Sequence, residues 1–198
     1  MDGDDDHRVM SRLLKQAGLH DVQVVSLRGQ LHKDGFRDQL ANVFNFSINA
    51  IAVVCDAEAS RDAQFNRICH HLRQHCSVPA TVNTWTILPD RKVGIFVLPG
   101  PTGMLEDLLV ESATNSPPSA CVNEFMRCLD HTLPKRPDGA EYQAWFFPAI
   151  PSKAKAKAYL VASHESVPHV GLGADKGIWD FNHPCFDELK AFLRGFSP

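Results

Sequence analysis

The eight residues from Ile48 to Cys55, INAIAVVC, form an almost unbroken apolar run that stops abruptly at Asp56-Ala57-Glu58. A short run that is apolar at nearly every position fits a strand buried on both faces, as in a parallel sheet covered by helices. Its neighbours in sequence supply those helices. Val9, Leu13, Leu14 and Ala17 recur at helical spacing, with Gly18 where a helix stop belongs. Phe36, Leu40, Val43 and Phe44 mark a second helix, and Phe65, Ile68, Leu72 and Cys76 line one face of a third.

Val22–Val25 reads as a further strand. Thr81–Leu88 and Val93–Leu98 read as two strands joined by the turn Pro89-Asp90-Arg91-Lys92. A helix is expected from Met104 to Val110 after Pro99-Gly100-Pro101, and a loop over the Ser- and Pro-rich stretch 114–120. Val122–Leu129, Ala154–Ala162 and Pro184–Phe196 complete the helices. Strands alternating with helices indicate an α/β fold with a partly parallel sheet. No internal repeat is visible, so residues 1–198 read as one domain.

Composition narrows the function classes. At 44% hydrophobic and 22% charged residues the chain is ordinary for a globular protein. A net charge of −3 gives no broad basic field, so nucleic-acid contact must be local or bridged by a cation. No apolar run is long enough to span a membrane. The acidic start Met1-Asp2-Gly3-Asp4-Asp5-Asp6 does not look like a secretory leader, and the expectation is a cytoplasmic protein. The six cysteines contain no CxxC pair, which argues against a zinc ribbon and for buried, reduced thiols.

Two acidic clusters carry the chemistry. Asp56 and Glu58 stand at the carboxyl end of the buried strand, where open α/β sheets bind ligands. Two carboxylates on such a loop can converge on a hard cation such as magnesium, or can simply favour the start of the next helix. Asp2, Asp4, Asp5 and Asp6 precede the first helix, where aspartates also serve as caps. Glu106 and Asp107 form a third pair at a helix start; adjacent helical residues do not share a face, and the stripe Leu105, Leu108, Leu109 selects Glu106 for the site.

Together the first two clusters resemble the Toprim family, the catalytic domain of topoisomerases, primases and related nucleases. That family carries a glutamate and a glycine after its first strand, commonly an aspartate three positions beyond the glycine, and a D-x-D motif after a later strand. Asp2, Gly3 and Asp6 stand at the first three positions, and Asp56 and Glu58 at the D-x-D. Aspartate replaces the glutamate at position 2, and glutamate replaces the second aspartate at position 58. More specifically the chain is similar to small stand-alone Toprim-like prokaryotic proteins of unknown function. That likeness lies in Ile95-Phe96-Val97-Leu98-Pro99, Gly103-Met104-Leu105-Glu106-Asp107-Leu108-Leu109, the lysines at 153–157 and Trp179-Asp180-Phe181-Asn182-His183-Pro184.

The resemblance implies a Toprim-like, Rossmann-like sheet flanked by helices, with an added β-hairpin and C-terminal helices. A Toprim domain opens with a strand before the acid–glycine pair, and only Met1 precedes Asp2, so that strand is expected to be missing. The implied chemistry is Mg2+-dependent phosphoryl transfer of nuclease type on a nucleic acid or nucleotide, with Mn2+ as an alternative ion. Asp56, Glu58 and Glu106 would hold the metal, and Asp2 and Asp56 would be catalytic. A non-catalytic metal- or nucleotide-binding regulatory module is the second reading, and on either reading the sequence leaves the oligomeric state open, a dimer included. With Tyr142 and Tyr159 as the only tyrosines and no second domain, topoisomerase activity is not expected.

Other candidates read as structure. His71 and His75 have zinc-ligand spacing but no HExxH glutamate, so they read as a solvated face. Lys153, Lys155 and Lys157 could meet phosphate or simply face water. Gly171-Leu172-Gly173-Ala174 lacks the rest of a dinucleotide fingerprint, and Ser60 and Ser163 lack triad partners.

Overall fold

A computed structural model describes residues 4–26, 34–46, 48–57, 60–100, 103–132, 151–163 and 167–196. Strand β1 (Ala50–Cys55) lies parallel to β3 (Lys92–Val97), which in turn pairs antiparallel with β2 (Thr84–Ile87), giving the order β1-β3-β2. The expected hairpin is the β2–β3 pair, closed by Leu88 N–H donating to Arg91 O at 2.8 Å. The molecule is therefore a mixed α/β structure with a small, partly parallel sheet flanked by helices.

The two-residue period of the strands separates two apolar layers. Val53 and Cys55 of β1 and Val93, Ile95 and Val97 of β3 face one side. There they meet Leu40 of α2 (Asp34–Phe44) and Ile68, Cys69 and Leu72 of α3 (Arg61–Leu72). Val54 and Phe96 face the other side and join a larger cluster. That cluster is built from α1 (Asp4–Gln16), α4 (Leu105–Ser112), α5 (Ser119–Thr132), α6 (Pro151–Val161), α7 (Val170–Asp175) and α8 (Asp187–Leu193). Burial on both faces explains why INAIAVVC lacks alternation. Trp85 of β2 ties the C-terminus to the sheet: its ring stacks on Phe192 at 4.9 Å, and its N–H donates to Phe192 O at 2.9 Å.

Three expectations need correction. Residues 22–26 form no strand; Val22 and Val24 pack against the larger core cluster while Val25 stays 50% exposed. The terminal helix is three pieces, with 3-10 turns Pro184–Phe186 and Arg194–Phe196 on either side of α8. The cysteines are free, but only Cys55 and Cys69 are buried; Cys121 and Cys128 of α5 are exposed. Helix α5 turns those positions away from its buried Val122 and Met126. No helix among the described residues is long and apolar enough to cross a membrane.

Candidate functional site

Parallel pairing brings the carboxyl ends of β1 and β3 side by side. The ladder runs on past the strands, with Leu98 N–H donating to Cys55 O at 2.9 Å and Ala57 N–H to Gly103 O at 2.7 Å. Gly103 has φ +64°, and a Cβ there would run into the Ala57 side chain. Only glycine gives this positive φ and close approach without strain. The loop after β3 is thereby pinned to the turn after β1, and α4 starts immediately beyond it.

Asp56 sits at this junction. Its Oδ1 accepts the Leu105 N–H at 3.1 Å, satisfying one of the unpaired amides of the first α4 turn. Asp107 turns back to accept the Met104 N–H at 3.2 Å. Glu106, one residue earlier, bears on Asp56 instead, and its carboxylate lies 4.0 Å from Lys153 Nζ at the start of α6. Asp6 of the first α1 turn is a second negative neighbour of Asp56. The first turns of α1, α4 and α6 thus deliver Asp6, Glu106 and Lys153 to the carboxyl end of β1.

The electrostatics follow from crowding. Burial, then the charges of Asp6 and Glu106, push Asp56 from its ordinary value of 3.8 up to about 7; the Leu105 N–H and Lys153 offset only part of this. Burial also pushes Glu106 up, with Asp6 and Asp107 adding to the rise and Lys153 opposing it. Both shifts run the same way, because each carboxylate is desolvated and faces other negative charges. Asp6, Asp56 and Glu106 do not all bring an oxygen within 4.8 Å of one another; among the described residues the group of three that does is Glu111, His183 and Cys185.

With that geometry in hand, the family follows: a model of proteins of unknown function, DUF3226, matches residues 1–197. The chain belongs to the DUF3226 family. No curated protein and no solved structure matches it.

Of the site residues expected in this DUF3226 chain, Asp56 and Glu106 share one corner, whereas Asp2 and Glu58 lie outside the described residues. Two members of the corner were read differently from sequence. Asp6 read as a cap or as the downstream aspartate of the resemblance but was not named as a site residue, and Lys153 read as a lysine that meets phosphate or faces water. Both reach Asp56 only because α1 and α6 pack across the same sheet face, a contact that local spacing does not encode. Of the histidines, His75 stacks on Phe44 at 5.3 Å, a packing role.

Proposed function

We propose that the Asp56 corner of this DUF3226 protein is a divalent-cation site of Toprim-like type, serving phosphoryl-transfer chemistry of nuclease kind on a nucleic acid or nucleotide. The observation that carries the reading is a half-buried aspartate at the carboxyl end of β1, crowded by Asp6 and Glu106 and pushed up to about 7 by burial and their charges. A dication relieves that repulsion, and an all-oxygen donor set suits Mg2+ or Mn2+ rather than a soft metal. Because Asp6, Asp56 and Glu106 do not all converge, an ion there would take one or two of them directly and keep several waters, as magnesium does. Asp56 and Glu106 hold it, with Glu58 as the further ligand the resemblance implies. The cation supplies charge neutralisation at a phosphoryl oxygen.

The chain's own groups do the rest. Lys153, half exposed beside Glu106, orients a phosphate oxygen as a point charge. Asp6 is the carboxylate at the rim that relays a proton to or from water, with Asp2 in the acid–base role that the resemblance assigns. Bridging by the cation also lets an anionic substrate approach a chain of net charge −3.

Labelled DNA, RNA and nucleotides should be incubated with the full chain in Mg2+ or Mn2+, beside Asp56→Asn. The expected result is cation-dependent turnover that Asp56→Asn lowers by about 100-fold, the scale on which loss of one preorganised electrostatic group acts. Cation binding without turnover selects the non-catalytic regulatory module. Identical cation response in the parent and Asp56→Asn overturns both.

A further inference from the structure

At the other end of α4, three donors of different chemistry converge. Glu111 projects from the last turn, and His183 and Cys185 come from the segment that opens the C-terminal helices; one ligand atom from each lies within 4.8 Å of the other two. Donors bound to a tetrahedral zinc ion at 2.0–2.3 Å stand roughly 3.5 Å apart, so side-chain rotation of about 1 Å closes the set. No hydrogen bond or ion pair of the Glu111 side chain is found among the described residues, which leaves its carboxylate available.

The bonds already present define how a cation enters. Cys185 N–H donates to His183 Nδ1 at 3.2 Å, so the neutral ring carries its proton on Nε2 and its lone pair on Nδ1. A bond at the long end of the normal range is a weak competitor for that lone pair. Cys185 Sγ–H points at Leu108 O, 3.4 Å away. Burial, then the Glu111 charge, push this thiol up to about 12, so Cys185 alone is a neutral thiol and not a nucleophile. A dication inverts the balance by neutralising Glu111 and favouring the thiolate.

We propose that Glu111, His183 Nδ1 and Cys185 Sγ form a site for a borderline-soft divalent ion of the zinc class. Binding replaces the S–H bond with a sulfur–metal bond, the thiol proton leaves to solvent, and no electron is transferred. Three protein ligands leave a fourth position for water or another ligand. The reading is independent of the Asp56 corner, where the donors are oxygens only.

Co2+ is the probe, because thiolate coordination gives it a charge-transfer absorption that carboxylates do not. The full chain is used with Cys121→Ser and Cys128→Ser, which removes the two exposed thiols. The expected result is one equivalent of Co2+ with the thiolate band, displaced by one equivalent of Zn2+. Cys185→Ser should abolish the band. Glu111→Gln and His183→Gln should weaken binding at least tenfold while melting within a degree or two of the parent. Asp56→Asn should leave the band unchanged. Absence of the band in the folded parent overturns the proposal, and so does its persistence in Cys185→Ser. Parent-like affinity in both Glu111→Gln and His183→Gln would also overturn it.

Discussion

The two ends of α4 present opposite problems of charge. At its start, Asp56 and Glu106 are carboxylates crowded by burial and by Asp6, with Lys153 as the partial offset. At its end, Cys185 is a neutral thiol whose ionisation is opposed by burial and Glu111. Glu106 and Glu111 are five residues apart, about 7.5 Å along the axis, yet hard and soft cations would sort between them by donor chemistry alone. On the two proposals one short helix would separate two cation preferences, and what differs is not acidity but which atoms accompany the carboxylate.

Asp56→Asn should expose the first end most strongly. A carboxyl group whose folded pKa is raised binds its proton more tightly in the folded state. Stability is therefore full below about pH 4 and falls as the pH climbs to about 7, where the folded group finally ionises. Moving from 3.8 to about 7 corresponds to about 4 kcal/mol, or about 10 °C in melting temperature for a chain this size. Asparagine keeps an oxygen for the Leu105 N–H and cannot ionise. In thermal melts the variant should match the parent near pH 4 and exceed it by up to that amount at pH 8. Saturating Mg2+ should narrow the gap by stabilising only the parent. Parallel stability curves for the two chains from pH 4 to 8 would show that the crowding at this end has no energetic consequence.

Gly103→Ala comes next. It places a Cβ against Ala57 at φ +64°, where alanine already pays for a left-handed backbone. The expected loss is about 3 kcal/mol, read from chemical denaturation. The comparison sharpens if Mg2+ binding falls while the thiolate–Co2+ band survives, because only the first end depends on this clamp. Equal weakening of both sites would mean that α4 moves as a whole.

These two positions also show what a sequence reader could find. Asp56 was legible because an apolar run ending in D-A-E is a local pattern, and the β2–β3 pair was legible from its turn. The strand expected at Val22–Val25 failed for a physical reason: Val22 and Val24 pack against the larger core cluster directly, so the apolar residues are accounted for without sheet pairing. Helix α7 was missed because Gly171 and Gly173 look like breakers. They are there for close packing: a Cβ on Gly173 would meet Leu160 and Trp179, and Gly171 N–H donates to Asp5 Oδ1 at 3.3 Å. The Glu111–His183–Cys185 set was illegible because 72 residues separate Glu111 from His183, and only the packing of α4 on the turn Pro184–Phe186 joins them. Glu106 was legible from its leucine stripe, whereas the approach of Lys153 to the same corner was hidden by its separation along the chain.

Lys153→Met should give the smallest change in stability and the most informative one in charge. The lysine is 45% exposed on its side chain, and its contact with Glu106 spans 4.0 Å. Exposed pairs of this kind contribute about 0–1 kcal/mol, so the melting temperature should barely move. Methionine keeps the apolar stem on α6 and removes only the cation. Lys153 now pulls both Asp56 and Glu106 down, so its loss should carry both titrations upward, with Asp56 leaving the neighbourhood of 7 for higher pH. Carboxyl-carbon NMR of Asp56 and Glu106 across pH 5–9 would read this directly. Two binding changes should then diverge. Mg2+ affinity should rise, because the ion no longer competes with an ammonium group for Glu106. Inorganic phosphate affinity in the presence of Mg2+ should fall, because the point charge that orients its oxygen is gone. If both affinities moved in the same direction, Lys153 would be acting through the position of α6 rather than through its charge. The first end of α4 would then be a packing junction, with Asp56 half-buried as a helix cap and nothing more.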